Sequence, residues 1–251
     1  MPDPFTLIVG VWTAMGLGTF LLLFRIRAPY GRHVRPGWGP TVPHRVGWFV
    51  MEIVSPAALL AGWLSGTGGR DPWAFVFASL WLAHYANRAI VYPLRSRWRG
   101  RRMPVVIMVS AVFFNAVNGG LNGWWFGHVA DPYPPDWGRS LAVLFGGLLF
   151  VVGVMINARA DTALRRLRKP DETGYAIPRG GLYRWISCPN YLGEIIEWSG
   201  FALMTLSPAA ATFAIWTAAN LVPRAVAHHA WYLETFEDYP PARRALIPGL
   251  F

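Results

Sequence analysis

The chain is poor in the residues that make soluble domains. Charged residues fill 14% of its 251 positions, against roughly a quarter in an ordinary soluble domain. Acids number 13 and bases 23, which leaves a formal charge of +10 carried almost wholly by arginine. The lone cysteine, Cys188, excludes an internal disulfide, and no Cys/His spacing suits a structural zinc. The Glu-x-x-His motif of di-iron bundles is also missing. His228 and His229 are neighbours, about 100° apart on a helix, and poorly placed to share an ion. No metal is expected. Internal repeats and low-complexity segments are absent, and no gap between apolar runs is long enough for a soluble second domain.

Apolar residues are what the chain has instead: 54% are hydrophobic and 14 are tryptophan. Residues 5–24, FTLIVGVWTAMGLGTFLLLF, carry no charge and have the length that crosses a hydrocarbon core as a helix. Asp3 precedes this run and Arg25 follows it, the reverse of a signal peptide. Further runs lie at 46–64, 73–94, 104–128, 141–158, 191–207 and 209–233, the last two joined at Ser207-Pro208. The expected fold is therefore all-α, a multi-pass membrane bundle of seven spans forming a single domain, 1–251.

Arginines collect in alternate gaps. Arg25, Arg27, Arg32, Arg35 and Arg45 fall between the first two runs, RSRWRGRR fills 95–102, and 159–190 is again basic. The other gaps, GTGGRD and DPYPPDWGR, hold one arginine each. This alternation places the N-terminus outside and the C-terminus in the cytoplasm. It also accounts for the net charge without nucleic acid. GTGGR lacks the strand and helix that flank a phosphate-binding glycine loop, and reads as a linker. Arginine-rich, lysine-poor composition points to a bacterial inner membrane.

Ionisable residues within spans are costly and normally face the bundle interior. Here they are Glu52, His84, Arg88, Glu194, Glu197, Arg224 and His228. At 100° per residue most join stripes: Tyr85, Arg88 and Tyr92; Asn157, Asp161, Arg165 and Arg168; Asn190, Glu194 and Glu197; Arg224, His228 and Trp231, with Tyr232 close by. Each residue alone could be half of a structural ion pair. Four stripes near the cytoplasmic ends imply a polar cavity open to the cytosol and walled by aromatic residues. Glu52 differs, standing alone in GWFVMEIVSPAALL. In such surroundings a carboxyl group can stay protonated and donate a hydrogen bond to a carbonyl oxygen. A pairing of Glu52 with Arg88 is the other reading.

HYANRAIVY (84–92), LRKPDETGYAIPRGGLYRWIS (167–187), NYLGEIIEWSGFAL (190–203) and PRAVAHHAWYLETFEDYPPARRALIPGLF (223–251) together resemble the steroid 5α-reductase family. Fragments of LGEIIEW are shared with membrane sterol C14 and C7 reductases and with S-adenosylmethionine-dependent isoprenylcysteine and phospholipid methyltransferases, which stand as alternatives. The resemblance implies seven spans, a substrate-side part over about 1–130 and a cofactor-binding part over about 141–251. NADPH would be surrounded by Asn157, Asp161, Arg168, Tyr175, Asn190, Glu194, Glu197, Trp198, Arg224, His228 and Tyr232. Glu52 and Tyr85 would be catalytic, polarising the C3 carbonyl of a 3-oxo-Δ4-steroid while a hydride reaches C5 and a proton C4. The implied partners are a steroid or sterol-like lipid entering from the bilayer and membrane lipids, with the enzyme a monomer and its cofactor site facing the cytoplasm. In one place the chain departs from the family's vertebrate members, which carry Gln where Met51 precedes Glu52.

Overall fold

Proline and its capping partner set several helix starts. The computed structural model describes residues 3–67, 71–96, 100–167 and 174–251. Helix α1 is Pro4–Arg25, and Asp3 accepts from the Thr6 amide at 3.0 Å. Helix α3 starts in the same way: Pro72 follows Asp71, which accepts from the Trp73 amide at 3.0 Å. Proline suits the first helical position because its missing N–H would have no partner there, and the preceding side chain satisfies one of the remaining donors. Helix α2 is His44–Leu64 and α4 is Val105–Trp124. Helices α5, Leu141–Arg166, α6, Pro189–Thr205, and α7, Pro208–Thr235, complete the set.

Helix α3 is interrupted. It runs as Pro72–Ala86, widens into a π turn at Asn87–Val91 and closes with Tyr92–Arg95. Pro93 cannot donate to the α-helical ladder, and the wider turn accommodates that loss. A second π turn, Trp125–Val129, extends α4.

Four helices are long and apolar enough to cross a membrane by length and composition: Pro4–Arg25, His44–Leu64, Val105–Val129 and Leu141–Arg166. All seven expected runs are helical. Helix α6 has only 17 residues and the straight part of α3 only 15, short of the ~20 a span ordinarily needs. The expected boundary at 158 moves most, because α5 continues through the polar residues to Arg166.

The chain forms two compact units, Ala28–Ser140 and Met1–Arg27 with Leu141–Phe251. In the first, short strands β1 (Thr41–Pro43) and β2 (Arg102–Pro104) pair antiparallel and lead directly into α2 and α4. Those helices then run parallel in close contact. Gly119, Gly123 and Gly127 of α4, spaced by four, lie against the backbone of Ser55, Leu59 and Gly62 of α2. A Cβ at any of the three would collide with a carbonyl, so glycine there permits the backbone approach. Trp81 of α3 donates to Ser55 Oγ at 3.2 Å and holds α3 to the pair.

In the other unit α5 and α6 run antiparallel. Gly146 packs on Gly200 and Gly153 on Gly193, each pair of glycines seven residues apart along its helix. Leu206 (φ 45°) makes the tight turn to α7, where Ser207 caps the first turn. Trp198 fills the α6–α7 interface against Phe213, with ring centroids 4.6 Å apart. Helix α1 packs on α7 through Trp12 on Trp216 and a Thr13–Thr212 hydroxyl pair at 2.7 Å. After α7 the chain turns back, and Arg244 and Ala245 accept from the Ser187 and Cys188 amides at 2.8 and 3.2 Å.

Candidate active site

The first polar cluster lies among α2, α3 and α4. Glu52, on α2, is buried, and its carboxylate meets Arg88 Nη2 at 3.4 Å. The Arg88 guanidinium sits 4.9 Å from the Trp48 ring centroid and 5.7 Å from that of Tyr92. Trp48 in turn donates its indole N–H to the Arg88 carbonyl at 3.0 Å. Arg88 lies within the π turn, where i→i+5 bonding re-aims side chains that a regular helix would place elsewhere. The expectation that Glu52 stands alone is therefore corrected: of the two readings, the structure holds the pairing with Arg88.

Tyr85 is buried one turn earlier, stacked on Trp81 with centroids 5.5 Å apart. Its hydroxyl donates to Asn115 Oδ1 at 3.3 Å, and Asn115 Nδ2 donates to the Met51 carbonyl at 2.6 Å. Asn115, Asn118 and Asn122 line the buried face of α4, the last two donating back along their own helix to Phe114 and Asn118.

The second cluster lies at the end of the other unit where α5 finishes, α6 begins and α7 ends. Close packing through Gly153 and Gly193 sets Asn157 opposite the start of α6, where its amide donates to the Asn190 carbonyl at 3.0 Å. Asn190 donates to Asp161 Oδ1 at 3.4 Å. From α7, Arg224 Nε donates to the Tyr191 hydroxyl at 2.9 Å, and that oxygen lies 3.4 Å from His228 Nδ1. Cys188 Sγ is 3.8 Å from the same nitrogen. Glu197 is buried on α6 and Glu194 half-buried one turn before it. Aromatic rings continue the wall: Tyr175 on Trp231 at 5.1 Å, and Tyr232 stacked on Tyr239 at 5.0 Å.

Tyr183 closes the base of this cluster, its hydroxyl donating to the Ala160 carbonyl at 3.4 Å. Burial, helped by the nearby Asp161 charge, pushes its phenol well above the ordinary tyrosine range.

Sequence comparison shows which proteins the chain is similar to. The profile of the 3-oxo-5-alpha-steroid 4-dehydrogenase family matches residues 101–251. Steroid 5-alpha-reductase of Gossypium hirsutum is 45% identical over 246 residues, covering 94% of this chain and 93% of that protein. Human 3-oxo-5-alpha-steroid 4-dehydrogenase 1 is 39% identical over 240 residues, covering 95% and 92%. The chain belongs to the steroid 5α-reductase family. The family is one of oxidoreductases acting on CH–CH bonds.

For a steroid 5α-reductase family member, the structure groups the expected residues unevenly. It brings Glu52 and Tyr85 into one cluster, and elsewhere forms two hydrogen-bonded sets, Asn157 with Asn190 and Asp161, and Arg224 with His228 through Tyr191. Trp198 lies in the helix interface, and Arg168 falls outside the described residues. Sequence reasoning passed over Asn115 and Tyr191. Asn115 showed no charge to mark it, yet it shares a face with Gly119 and Gly123, and that spacing was the available signal. Tyr191 lies 100° from the Asn190–Glu194 stripe and acts through α7 instead.

Proposed function

We propose that this membrane enzyme reduces the Δ4 double bond of 3-oxo-Δ4-steroids to the 5α-dihydrosteroid, using NADPH. Membership of the family supports the reaction class, and the Glu52–Arg88–Tyr85–Asn115 cluster is the observation that carries the mechanism. Seven spans with a cytoplasmic C-terminus complete the reading.

The donor set of the second cluster fits a dinucleotide. Arg224 supplies a cation for phosphate, Asn157 and Asn190 supply amides, Asp161, Glu194 and Glu197 accept from ribose hydroxyls or a carboxamide, and Tyr175 and Tyr232 offer flat surfaces. His228, held by Tyr191 and Cys188, completes the set, and Trp198 belongs to it by the family resemblance. Arg168 belongs to the same proposed set. When bound, NADPH supplies the hydride that C5 of the steroid receives.

The residues of the first cluster act on the other end of the enone. Tyr85 and Glu52, the latter in its protonated form, donate to the C3 carbonyl oxygen, and the Arg88 cation beside them favours the charge that gathers there. Charge that develops on that oxygen is stabilised in a site closed to water, which makes C5 the more electrophilic. C4 then takes a proton. A buried donor set of this size lowers a barrier by several kcal/mol when aimed at developing charge.

The deciding experiment follows NADPH absorbance with purified protein, testosterone and progesterone, and determines the configuration at C5 of the product. Loss of absorbance with a 5α product is expected. No reductase turnover, with methyl transfer from S-adenosylmethionine instead, would overturn the reading. Reduction confined to a C14 or C7 sterol double bond would overturn the substrate.

A further inference from the structure

Beyond α7 the chain buries a cation. Arg243 is 4% exposed, and neither its Nε nor its Nη1 has a hydrogen-bond partner among the described residues. A guanidinium cannot shed its proton, so burying one with open donors is costly unless an anion meets it. The acid nearest in sequence is engaged elsewhere: Asp238 is exposed and takes Arg179 at 2.9 Å.

The arginine is nevertheless held in place. Its guanidinium lies 5.0 Å from the Tyr239 ring centroid, and Tyr239 stacks on Tyr232 of α7 at 5.0 Å. The Tyr239 hydroxyl is 2.7 Å from Ser187 Oγ, which is itself 2.6 Å from His229 Nδ1. On the main chain, Arg243 donates to the Pro240 carbonyl at 3.2 Å. Its neighbour Arg244 donates to the Trp185 carbonyl and accepts from the Ser187 amide, at 2.9 and 2.8 Å. A fixed, desolvated guanidinium beside aromatic rings suits a phosphate, which it can take with two parallel N–H bonds.

We propose that Arg243 binds the 2′-phosphate of the dinucleotide and is the residue that separates NADPH from NADH. This rests on the reading of the second cluster as the NADPH site given above. Arg224 and Tyr232 both belong to α7, and lie about 12 Å apart along its axis. The hydride goes to a lipid-soluble substrate, so the nicotinamide end of the cofactor lies within the membrane. The adenosine end then lies toward the cytoplasmic end of α7. With Arg224 serving the pyrophosphate, the Tyr232–Tyr239–Arg243 stack serves the adenosine ribose and its phosphate. NADH carries a hydroxyl at that position, which cannot neutralise the guanidinium.

The test measures dissociation constants of NADPH and NADH by calorimetry on the full-length protein in detergent, with thermal melts alongside. Arg243→Met should weaken NADPH about tenfold to a hundredfold, the scale of a charge-assisted bond, and leave NADH unchanged. Binding of 2′,5′-ADP should fall with that of NADPH, and binding of 5′-ADP should not. Arg224→Met should weaken both cofactors together. Removing a buried charge that lacks a protein anion should leave the variant, without ligand, melting no lower than wild type.

Wild type that prefers NADPH, with the same preference in Arg243→Met, overturns the role of Arg243 and leaves the cofactor reading standing. Wild type that binds the two dinucleotides alike, or binds neither, overturns both. An unliganded variant that melts far below wild type, or does not fold, shows that Arg243 serves the fold and overturns the proposal. Stabilisation by phosphatidylglycerol that is lost in Arg243→Met, with the NADPH preference intact, would assign the site to a lipid phosphate and overturn it as well.

Discussion

The two units solve one packing problem in two ways. In Ala28–Ser140 the close helices are parallel and their glycines recur every four residues; in the other unit they are antiparallel and the glycines recur every seven. Four residues advance a helix by slightly more than one turn, so a ladder of three glycines forms a continuous groove along α4. Seven residues advance it two turns, so the glycine pairs of α5 and α6 recur along one line of contact, and the close approach continues to Asn157, whose main-chain nitrogen lies against Gly193. Continuous contact encloses a small cluster of fixed groups, Glu52, Arg88, Tyr85 and Asn115. In the other unit the amides and Arg224 gather where α5 finishes, α6 begins and α7 ends. The first arrangement suits chemistry on one oxygen atom, and the second suits an extended ligand.

Glu52→Gln would test that division most severely. It should lower kcat by about a hundredfold or more, the scale of removing one group that stabilises developing charge, with the NADPH KM unchanged. Arg224→Met should do the opposite, raising the NADPH KM tenfold to a hundredfold through the loss of a charge-assisted bond, with steroid binding preserved. If both variants alter the same constant, the division of labour is wrong.

The groove itself is tested by stability. Gly123→Ala would press a methyl group onto the Leu59 carbonyl, costing about 1–3 kcal/mol by overpacking. Gly120→Ala, one residue from Gly119 and facing open space, should be neutral or stabilise by about 0.5–1 kcal/mol. Thermal melts in detergent would compare them, and equal effects would remove the ladder as the reason for glycine.

The smallest effect concerns the loop after α4. Burial raises Tyr133 to about 12, Asp71 adding to the rise and a bond with Trp125 opposing it. The unfolded chain ionises this phenol near 10 while the folded protein still holds its proton. The contribution is therefore complete below about pH 10 and disappears as pH climbs through about 12. Tyr133→Phe should flatten the stability profile in that window, and an unaltered alkaline slope would count against it.

Much of this architecture was legible in the sequence. Uncharged runs of spanning length located the helices, because bilayer thickness and helical rise leave little choice. The Ser207-Pro208 pair marked the turn that precedes α7. Stripes at helical spacing also grouped Asn190 with its helix face and Arg224 with His228. Partners across helices were legible only in part, the Glu52–Arg88 pairing standing as one of two readings and the Tyr85–Asn115 contact not read at all. Glu52 and Arg88 lie 36 positions apart, and Arg88 and Asn115 reach α2 in a structure where α3 carries a π turn and α4 packs through its glycines. Periodicity describes one helix at a time, and such pairings depend on two.

Asp71 uses both its oxygens, one for the first turn of α3 and the other, at 3.3 Å, for the Tyr133 amide. The segment linking α4 to α5 is thereby clamped to the start of another helix. A protease that nicked the chain between Val129 and Tyr133 would cut the covalent thread but leave this non-covalent clasp, and the fragments would be expected to migrate together until denatured.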